Sequence, residues 1–525
     1  MKGYGPQSIF KGTLILTVCR FSVWFLGLFE ILLLAGRFGT SIEVDAYLMA
    51  RSISLFLLGS IESSLFFTFV PVFVQYMEEA GDPEAWAIAD SLFLIFLIIF
   101  GFVALGICLS ASFITKVIAA GFSGEAAQVT AELTRIMAPL LILIVLSSLL
   151  SSTHYCYHHF AVPAVTSVLG ASGAVIGLLF FTHKVGIYAL PLGLLVTQTL
   201  QLALLLFSSR RYRRHVKWRI QFLHPGVRQM VRLMGPRFLE NASHRLNLVV
   251  DRFFASFLGT GYIAALHYAE RMVFSPVNII NVSLGKSLMP SLSRYAVNKD
   301  LVIVDRTISN IMRMLVAVFI PLLGFLVLFR EEIIVLLFQR GRFDAVSTQF
   351  TAYALLFYSF GIIGFCFSAC LRGVFFSFQD TWTPLKVSTM TALLNIVLDF
   401  FLMKIFSHGG IALATSIVVT INALILWILM GRKVMRLTWK GVSGCLCKCL
   451  AAITMTGLFL AYFPFLVDPD VSLNGPFARF SYLSLKFALG VLIYVGICRF
   501  LRVEAYGEMW RLLVRHYSPR KQREA

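Results

Sequence analysis

The chain has 525 residues, 58% of them hydrophobic and only 14% charged, with a mean hydropathy of +0.83. That balance excludes a water-soluble globular protein, in which about 25% of residues are charged. A formal net charge of +19 would suit nucleic acid, but the cations cluster in short segments between apolar runs, which argues against that partner.

Apolar runs recur from end to end, and about twenty residues suffice to cross about 30 Å of hydrocarbon. Fourteen candidate spans lie near 12–36, 44–75, 86–112, 131–156, 162–182, 186–207, 235–258, 262–292, 309–329, 350–377, 382–403, 409–430, 442–463 and 480–500. In lipid each must be a helix, because a spanning segment has to satisfy its own backbone hydrogen bonds. The first span follows only Lys2 and Lys11. It is too long for a signal-peptide core and no small-residue cleavage site follows, so it reads as a retained helix.

Span one carries Arg20 and Glu30, about 15 Å apart along the axis. In span two, Glu43 and Asp45 stand at the outer mouth, and Arg51 and Glu62 fall on one face, three turns apart. Spans three, five and six carry essentially no charge. "HYCYHHF", His154 to Phe160, sets three histidines at a helix end, where a headgroup-facing role is favoured over metal. A basic loop follows span six, with Arg210, Arg211, Arg213, Arg214, Lys217 and Arg219.

Span seven reads "PRFLENASHRLNLVVDRFFASFLG". Arg237, Glu240, Asn241, His244, Asp251 and Arg252 fall within roughly 60° of one line at about 100° per residue, with Phe238, Leu246, Phe253 and Phe257 opposite. Internal pairs at i,i+3 and i,i+4 account for Arg237, Glu240 and His244. Asp251 and Arg252 need partners elsewhere. In span eight, Glu270 and Arg271 are adjacent, so they point about 100° apart and pair poorly with each other. Arg271 shares its face with Ser275, Asn278 and Gly285.

Span twelve is again uncharged, and Arg432, Lys433, Arg436 and Lys440 follow it. "CLCKC" (Cys445, Cys447, Cys449) opens span thirteen, while Cys366 and Cys370 lie inside span ten. A metal site there is weighed against ordinary packing, and packing is favoured. Spacing of i, i+2, i+4 turns the middle thiol away, and no histidine is near. Arg502, Arg511, Arg515, Arg520, Lys521 and Arg523 form a basic tail. With both termini cytoplasmic, every basic cluster is cytoplasmic and the opposite loops are poor in Lys and Arg, the positive-inside pattern. Such loops also suit anionic lipid headgroups.

The halves look related. "GTSIEVDAYLMAR" runs from Gly39 to Arg51 and "GTGYIAALHYAER" from Gly259 to Arg271, with Pro71 and Pro290 at similar offsets beyond. Repeated halves are a frequent transporter design, with the substrate site at their interface. An ionisable residue at membrane depth costs about 2.5–3.5 kcal/mol on insertion scales and is tolerated where it faces a cavity or a partner. Spans one, two, seven and eight therefore predict a cationic cavity, and arginine's planar fork suits phosphate or pyrophosphate. The competing explanation is structural ion pairs that lock the halves together. No Walker loop, nucleotide turn, zinc-protease motif or nucleophile elbow is present, so the expectation is a transporter, not an enzyme, with no cofactor and no metal.

Several segments carry a resemblance: "FGTSIEVDAYLMA", "FVPVF", "ASFLGTGYIAALHYAERM", "LMPSLSRYA", "LLFQRGRFDAVSTQF" and "FSFQDTWTPLKVSTMTALLNIVLDFFL". In this order they resemble the MurJ (MviN) family, within the multidrug/oligosaccharidyl-lipid/polysaccharide exporter superfamily. The resemblance implies an all-α polytopic membrane protein of about 14 transmembrane helices, in two six-helix lobes plus two C-terminal helices. The boundaries are then 1–207 for the N-terminal lobe, 208–234 for the basic loop, 235–431 for the C-terminal lobe, 432–501 for the two extra helices and 502–525 for the tail. It implies a bacterial inner-membrane flippase that moves lipid II, the undecaprenyl-pyrophosphate-linked murein precursor, to the outer leaflet by alternating access. It also implies a lipid-tail groove near spans thirteen and fourteen.

Asp45, Glu62, Glu270, Arg271 and Asp251 match the family's acids and its "YA[DE]R" motif. Arg20, Arg51, Arg237 and Arg252 complete the expected headgroup-binding set. Span one departs from the family pattern: aligned on Gly27, Trp24 and Glu30 stand where arginines belong, with Arg20 one turn from Trp24. Partners are the lipid-linked precursor, membrane lipids and a candidate coupling cation. Another polyprenyl-linked glycan is the nearest rival cargo. A cation-coupled drug exporter would favour acids in the cavity, and a non-transporting scaffold would not need four polar stripes.

Overall fold

The computed structural model describes residues 6–212, 220–297, 301–378, 380–433, 439–462, 476–503 and 506. The described residues form helices and no strands. Nine of these helices are long and apolar enough to cross a membrane, and Ala345–Ser359 with Ile362–Ser377, bent by 46°, makes a tenth. Three further helices, Ile42–Glu79, Pro225–Ala255 and Tyr262–Val297, have 38, 31 and 36 residues. They are also long enough to span and carry the charges expected at depth.

The chain divides into two compact units. The first is Met1–Ala264 with Arg340–Asp344, and the second is Ala265–Gln339 with Ala345–Ala525. The first unit contains α1 (Pro6–Phe38), α2 (Ile42–Glu79), α3 (Asp82–Ile118), α4 (Gly124–Met137), α5 (Leu140–Cys156), α6 (Ala161–Ile176), α7 (Thr182–Val185), α8 (Ala189–Ser209) and α9 (Pro225–Ala255). Local chemistry starts these helices where expected. Glu43 and Asp45 occupy the first turn of α2, and Asp82 and Glu84 that of α3 with Pro83 beside them, as the helix dipole favours. His224 caps α9 by accepting from the Gly226 N–H at 3.1 Å.

The core of this unit gathers Phe69 and Phe73 of α2, Trp86 and Phe96 of α3, Leu141 and Leu149 of α5, and Met230 of α9. The outer face of α3 presents Phe102, Leu109 and Phe113, each more than two-thirds exposed. In a bilayer such a stripe faces acyl chains. The segment from 161 to 209 forms an antiparallel hairpin. A Cβ on Gly173 would strike the Gly193 carbonyl at 2.5 Å, so the helix backbones approach through glycine. The reversal contains Gly186, at φ +57°.

The second unit holds α10 (Tyr262–Val297) from Ala265 onward, then α11 (Leu301–Leu328), α12 (Arg330–Phe338), α13 (Ala345–Ser359), α14 (Ile362–Ser377), α15 (Trp382–Phe406), α16 (His408–Lys433), α17 (Trp439–Tyr462) and α18 (Pro476–Phe500). α16 packs against α13, α14 and α15, and α17 against α11 and α18. Phe325, Phe329 and Leu460 form a smaller cluster, flanked by Ile333 and Leu483.

Gly39 and Gly259 both adopt positive φ, +61° and +113°. Each stands three residues before a long helix, α2 and α10. The two segments that look alike in sequence thus open in the same way.

Candidate functional site

In the first unit, α1, α2 and α9 bring together several of the residues expected to bind cargo. Arg51 Nη1 donates to Glu30 Oε1 at 2.6 Å, and Arg51 Cζ lies 5.8 Å from the Tyr47 ring centroid. The Glu30 side chain is 9% exposed and that of Arg51 21%. Two helices thereby neutralise each other's buried charge, as burial demands. Arg252 of α9 is buried, and its Nη1 donates to the Leu48 carbonyl of α2. Asp251, beside it, is buried too. Asn241 Nδ2 donates to Ser64 Oγ at 3.2 Å. The polar stripe of α9 is therefore turned at least in part toward α2.

Asp45 does not stand at an open mouth. It is fully buried. Its Oδ2 accepts from the Gly261 N–H at 2.5 Å and its Oδ1 from the Ala264 N–H at 2.7 Å. The first N–H groups of a helix lack intrahelical acceptors, and Asp45 supplies them for α10. Arg340–Asp344, which include all of the "QRGRF" loop but its glutamine, also belong to this unit: the Arg342 N–H donates to the Gly36 carbonyl at the end of α1, at 3.0 Å.

Arg20 is exposed on α1, Arg271 is exposed on α10 and Glu270 is half-buried. None of the three has a salt bridge or side-chain hydrogen bond among the described residues. The side chains of Glu62 and Arg237, and the pairing of Arg237 with Glu240 and His244, lie outside the described residues. So do Arg213, Arg214, Lys217, Arg219, Arg436, the Lys440 side chain and the tail beyond 506.

Sequence reasoning did not single out a buried polar group in the second unit. Asn395 Nδ2 donates to Asp399 Oδ2 at 2.8 Å, and Asp399 is fully buried. One turn earlier on α15, Thr391 Oγ1 accepts from Asn422 Nδ2 of α16 at 3.0 Å, and Asn422 Oδ1 accepts from Ser368 of α14, which in turn accepts from Arg372. The signal was visible in "NIVLD": an amide and an acid at i,i+4 inside an apolar span.

Cys445 and Cys449 are buried and Cys447 is exposed, as the i,i+4 spacing dictates. Among the described residues no group of three His, Cys, Asp or Glu is arranged to hold a metal. "HYCYHHF" joins an aromatic stack. The Trp86 indole donates to Tyr157 Oη at 3.0 Å, and the Tyr157 and Tyr212 rings stack at 4.7 Å. Burial, followed by the Arg211 guanidinium and His158, holds the His159 imidazole below its ordinary range.

The fold and these buried polar helices define a class, the multi-pass helical transporters. A solved structure titled lipid II flippase MurJ, inward closed conformation, superposes with a TM-score of 0.77 at 24% identity, covering 93% of this chain and 99% of that one. An inward-facing multidrug resistance MATE transporter of the MOP superfamily follows at a TM-score of 0.66 and 12% identity, covering 80% and 94%. The family model described as lipid II flippase MurJ matches residues 34–475. The chain belongs to the MurJ family. A probable lipid II flippase MurJ of Buchnera aphidicola subsp. Schizaphis graminum is 27% identical over 484 residues, 91% of this chain and 94% of the relative. The lipid II flippase MurJ of Burkholderia cenocepacia is 26% identical over 411 residues, 77% of this chain and 80% of the relative. The family is one of transporters and not of catalysts, and membership places the chain as a multi-pass protein of the bacterial inner membrane.

Proposed function

We propose that this chain moves lipid II from the inner to the outer leaflet by alternating access, and that Arg271 engages the anionic headgroup. Family membership supports the cargo. The single observation that supports the residue is the exposure of Arg271 on α10, a helix long enough to span a membrane, with no ion-pair partner among the described residues. A guanidinium in that setting is costly unless something wet or anionic meets it, and its fork matches a pyrophosphate. Arg20 is exposed in the same way on α1 of the first unit and is a further candidate to meet an anionic headgroup. Arg51 and Arg252 already have partners, so they act by setting α1, α2 and α9 around the path. Asp399 with Asn395 supplies the kind of buried carboxylate that takes up a coupling cation or proton. Both termini are cytoplasmic, with the basic loops on anionic headgroups.

The test is complementation. Bacteria depleted of their own lipid II flippase receive this chain or Arg271→Ala at matched expression, and survival and outer-leaflet lipid II are scored. Rescue by the parent and at least about a tenfold loss of flipped lipid with Arg271→Ala is the expected result. Equal rescue by both removes Arg271 from the cargo path. Absence of rescue by a correctly inserted parent removes lipid II as the cargo.

A further inference from the structure

Lys486 lies inside α18 and is only 6% exposed. Burying an ammonium is expensive unless something compensates it. Two aromatic faces do so in part: Nζ lies 4.5 Å from the Tyr482 ring centroid and 5.8 Å from that of Phe329. No carboxylate pairs with it among the described residues; Glu331 lies 3.5 Å from Arg330. Lys486 also lines a cavity of about 430 Å³ between α12 and α18, within the second unit. That volume holds a small polar ligand or a lipid headgroup.

The cavity has two chemically different parts. Lys486 is its buried cation. Glu331 and Glu332 also line it and are exposed, which places two carboxylates at the accessible side. Val335, Leu336 and Leu483 supply an apolar wall. The neighbouring faces of α18 are lipid-like, with Phe480, Leu485 and Phe487 each close to half exposed or more. A ligand therefore reaches this site from the bilayer.

We propose that the cavity is a binding site for a resident phospholipid with a phosphoethanolamine headgroup. The phosphate meets the Lys486 ammonium, for which lysine is a competent point charge. The lipid's own primary ammonium donates to Glu331 and Glu332, and its glycerol end lies on the apolar wall. A purely anionic headgroup would bring its charge beside two carboxylates. A choline headgroup has no N–H to donate to them. The zwitterion with a primary amine gives the buried cation an anion and the accessible carboxylates an N–H donor. The inference depends on neither the cargo nor the direction of transport.

The test uses the intact protein in detergent, incubated with equimolar phosphatidylethanolamine, phosphatidylcholine and phosphatidylglycerol and read by native mass spectrometry. Expected is preferential retention of phosphatidylethanolamine. Lys486→Met keeps the aliphatic stem and lowers that retention about tenfold, the scale of one charge-assisted contact, while Lys486→Arg preserves it. The pair Glu331→Gln with Glu332→Gln, on exposed positions of α12, abolishes the preference over phosphatidylcholine. It also keeps the test decisive should Lys486→Met fail to fold. Equal retention of the three lipids by the parent overturns the proposal, and so does retention unchanged in the glutamine pair. Preference for phosphatidylglycerol overturns the amine contact. Displacement of the bound lipid by added lipid II, with Lys486→Met lowering lipid II binding instead, reassigns the site to the cargo.

Discussion

Arg51 reaches from the second helix to Glu30 of the first, at 2.6 Å, and closes a buried ion pair at a point where the family pattern would place a cation on α1. The charge that would have come from span one is instead carried by α2 and neutralised. Removing one partner of a buried pair strands the other, at about 3–5 kcal/mol. Arg51 keeps 21% exposure, so the lower part of that range applies. Glu30→Ala should lower the thermal midpoint of the detergent-purified protein. Replacing both residues by methionine should cost less than the two single changes added together. Strict additivity in this double-mutant cycle would show that the contact contributes nothing to stability.

Asp45 makes a different kind of contact, to two backbone N–H groups at the start of α10. Loss of a helix cap costs about 0.5–2 kcal/mol. Burial raises the cost, because the stranded donors have no water nearby. Asp45→Ala should therefore destabilise by at least about 2 kcal/mol. Asp45→Asn, which keeps one acceptor oxygen, should fall between that variant and the parent. If the asparagine variant unfolds with the alanine one, the negative charge beside Arg252 matters more than the hydrogen bonds.

These two contacts mark the boundary of what the sequence made legible. The helices could be read because a bilayer demands long apolar runs, although the expected span 131–156 falls on two helices, α4 and α5, 162–182 runs past the end of α6 into α7, and 350–377 falls on the bent pair α13–α14. Charges at depth could be read because they interrupt those runs. Their partners could not. Arg51 shares a helical face with Glu62, yet it meets Glu30 on another helix, and only tertiary packing decides that. The partner of Asp45 is backbone, which no side-chain pattern reveals. Asn395 and Asp399 have the legible i,i+4 spacing, but such a pair satisfies itself on one helix and does not reveal whether it faces the protein or the lipid. Lys486 shares its span with Arg499 and no acid, so the sequence offers no partner for it.

Gly39 adopts φ +61°, and a Cβ there would strike the carbonyl of Arg342, a backbone atom that has no rotamer to yield. The left-handed conformation alone costs an L-residue about 1–2 kcal/mol, and the clash adds to it. Gly39→Ala should shift the thermal midpoint down clearly. Gly101→Ala is the control. That glycine is inside α3 with nothing within 4 Å of a new Cβ, and alanine there should stabilise by about 0.5–1 kcal/mol. A Gly39→Ala protein as stable as the parent would mean that the "QRGRF" loop does not hold its place on α1.

Asp380 gives the "QDTWTP" turn its physical role and a pH dependence. Its Oδ1 accepts from the Thr383 N–H at 2.9 Å and its Oδ2 from the Thr383 hydroxyl at 2.6 Å. Lys433 Nζ lies 3.9 Å from Oδ2 and donates to the same hydroxyl oxygen at 2.7 Å. Burial raises this carboxyl, but the Thr383 contacts and the Lys433 ammonium outweigh it and hold it below its ordinary value. A carboxylate with a depressed folded-state pKa contributes stability that is complete above the unfolded pKa, about 3.9, and is lost as pH falls through the folded value. The difference in thermal midpoint between the parent and Asp380→Asn should thus stay constant from pH 7 to about pH 5 and shrink below about pH 4. Lys433→Met should reduce the plateau without removing it, because the contacts with Thr383 remain. A difference that grows on acidification would reverse the sign of this linkage and rule out the carboxylate as the form that holds the turn.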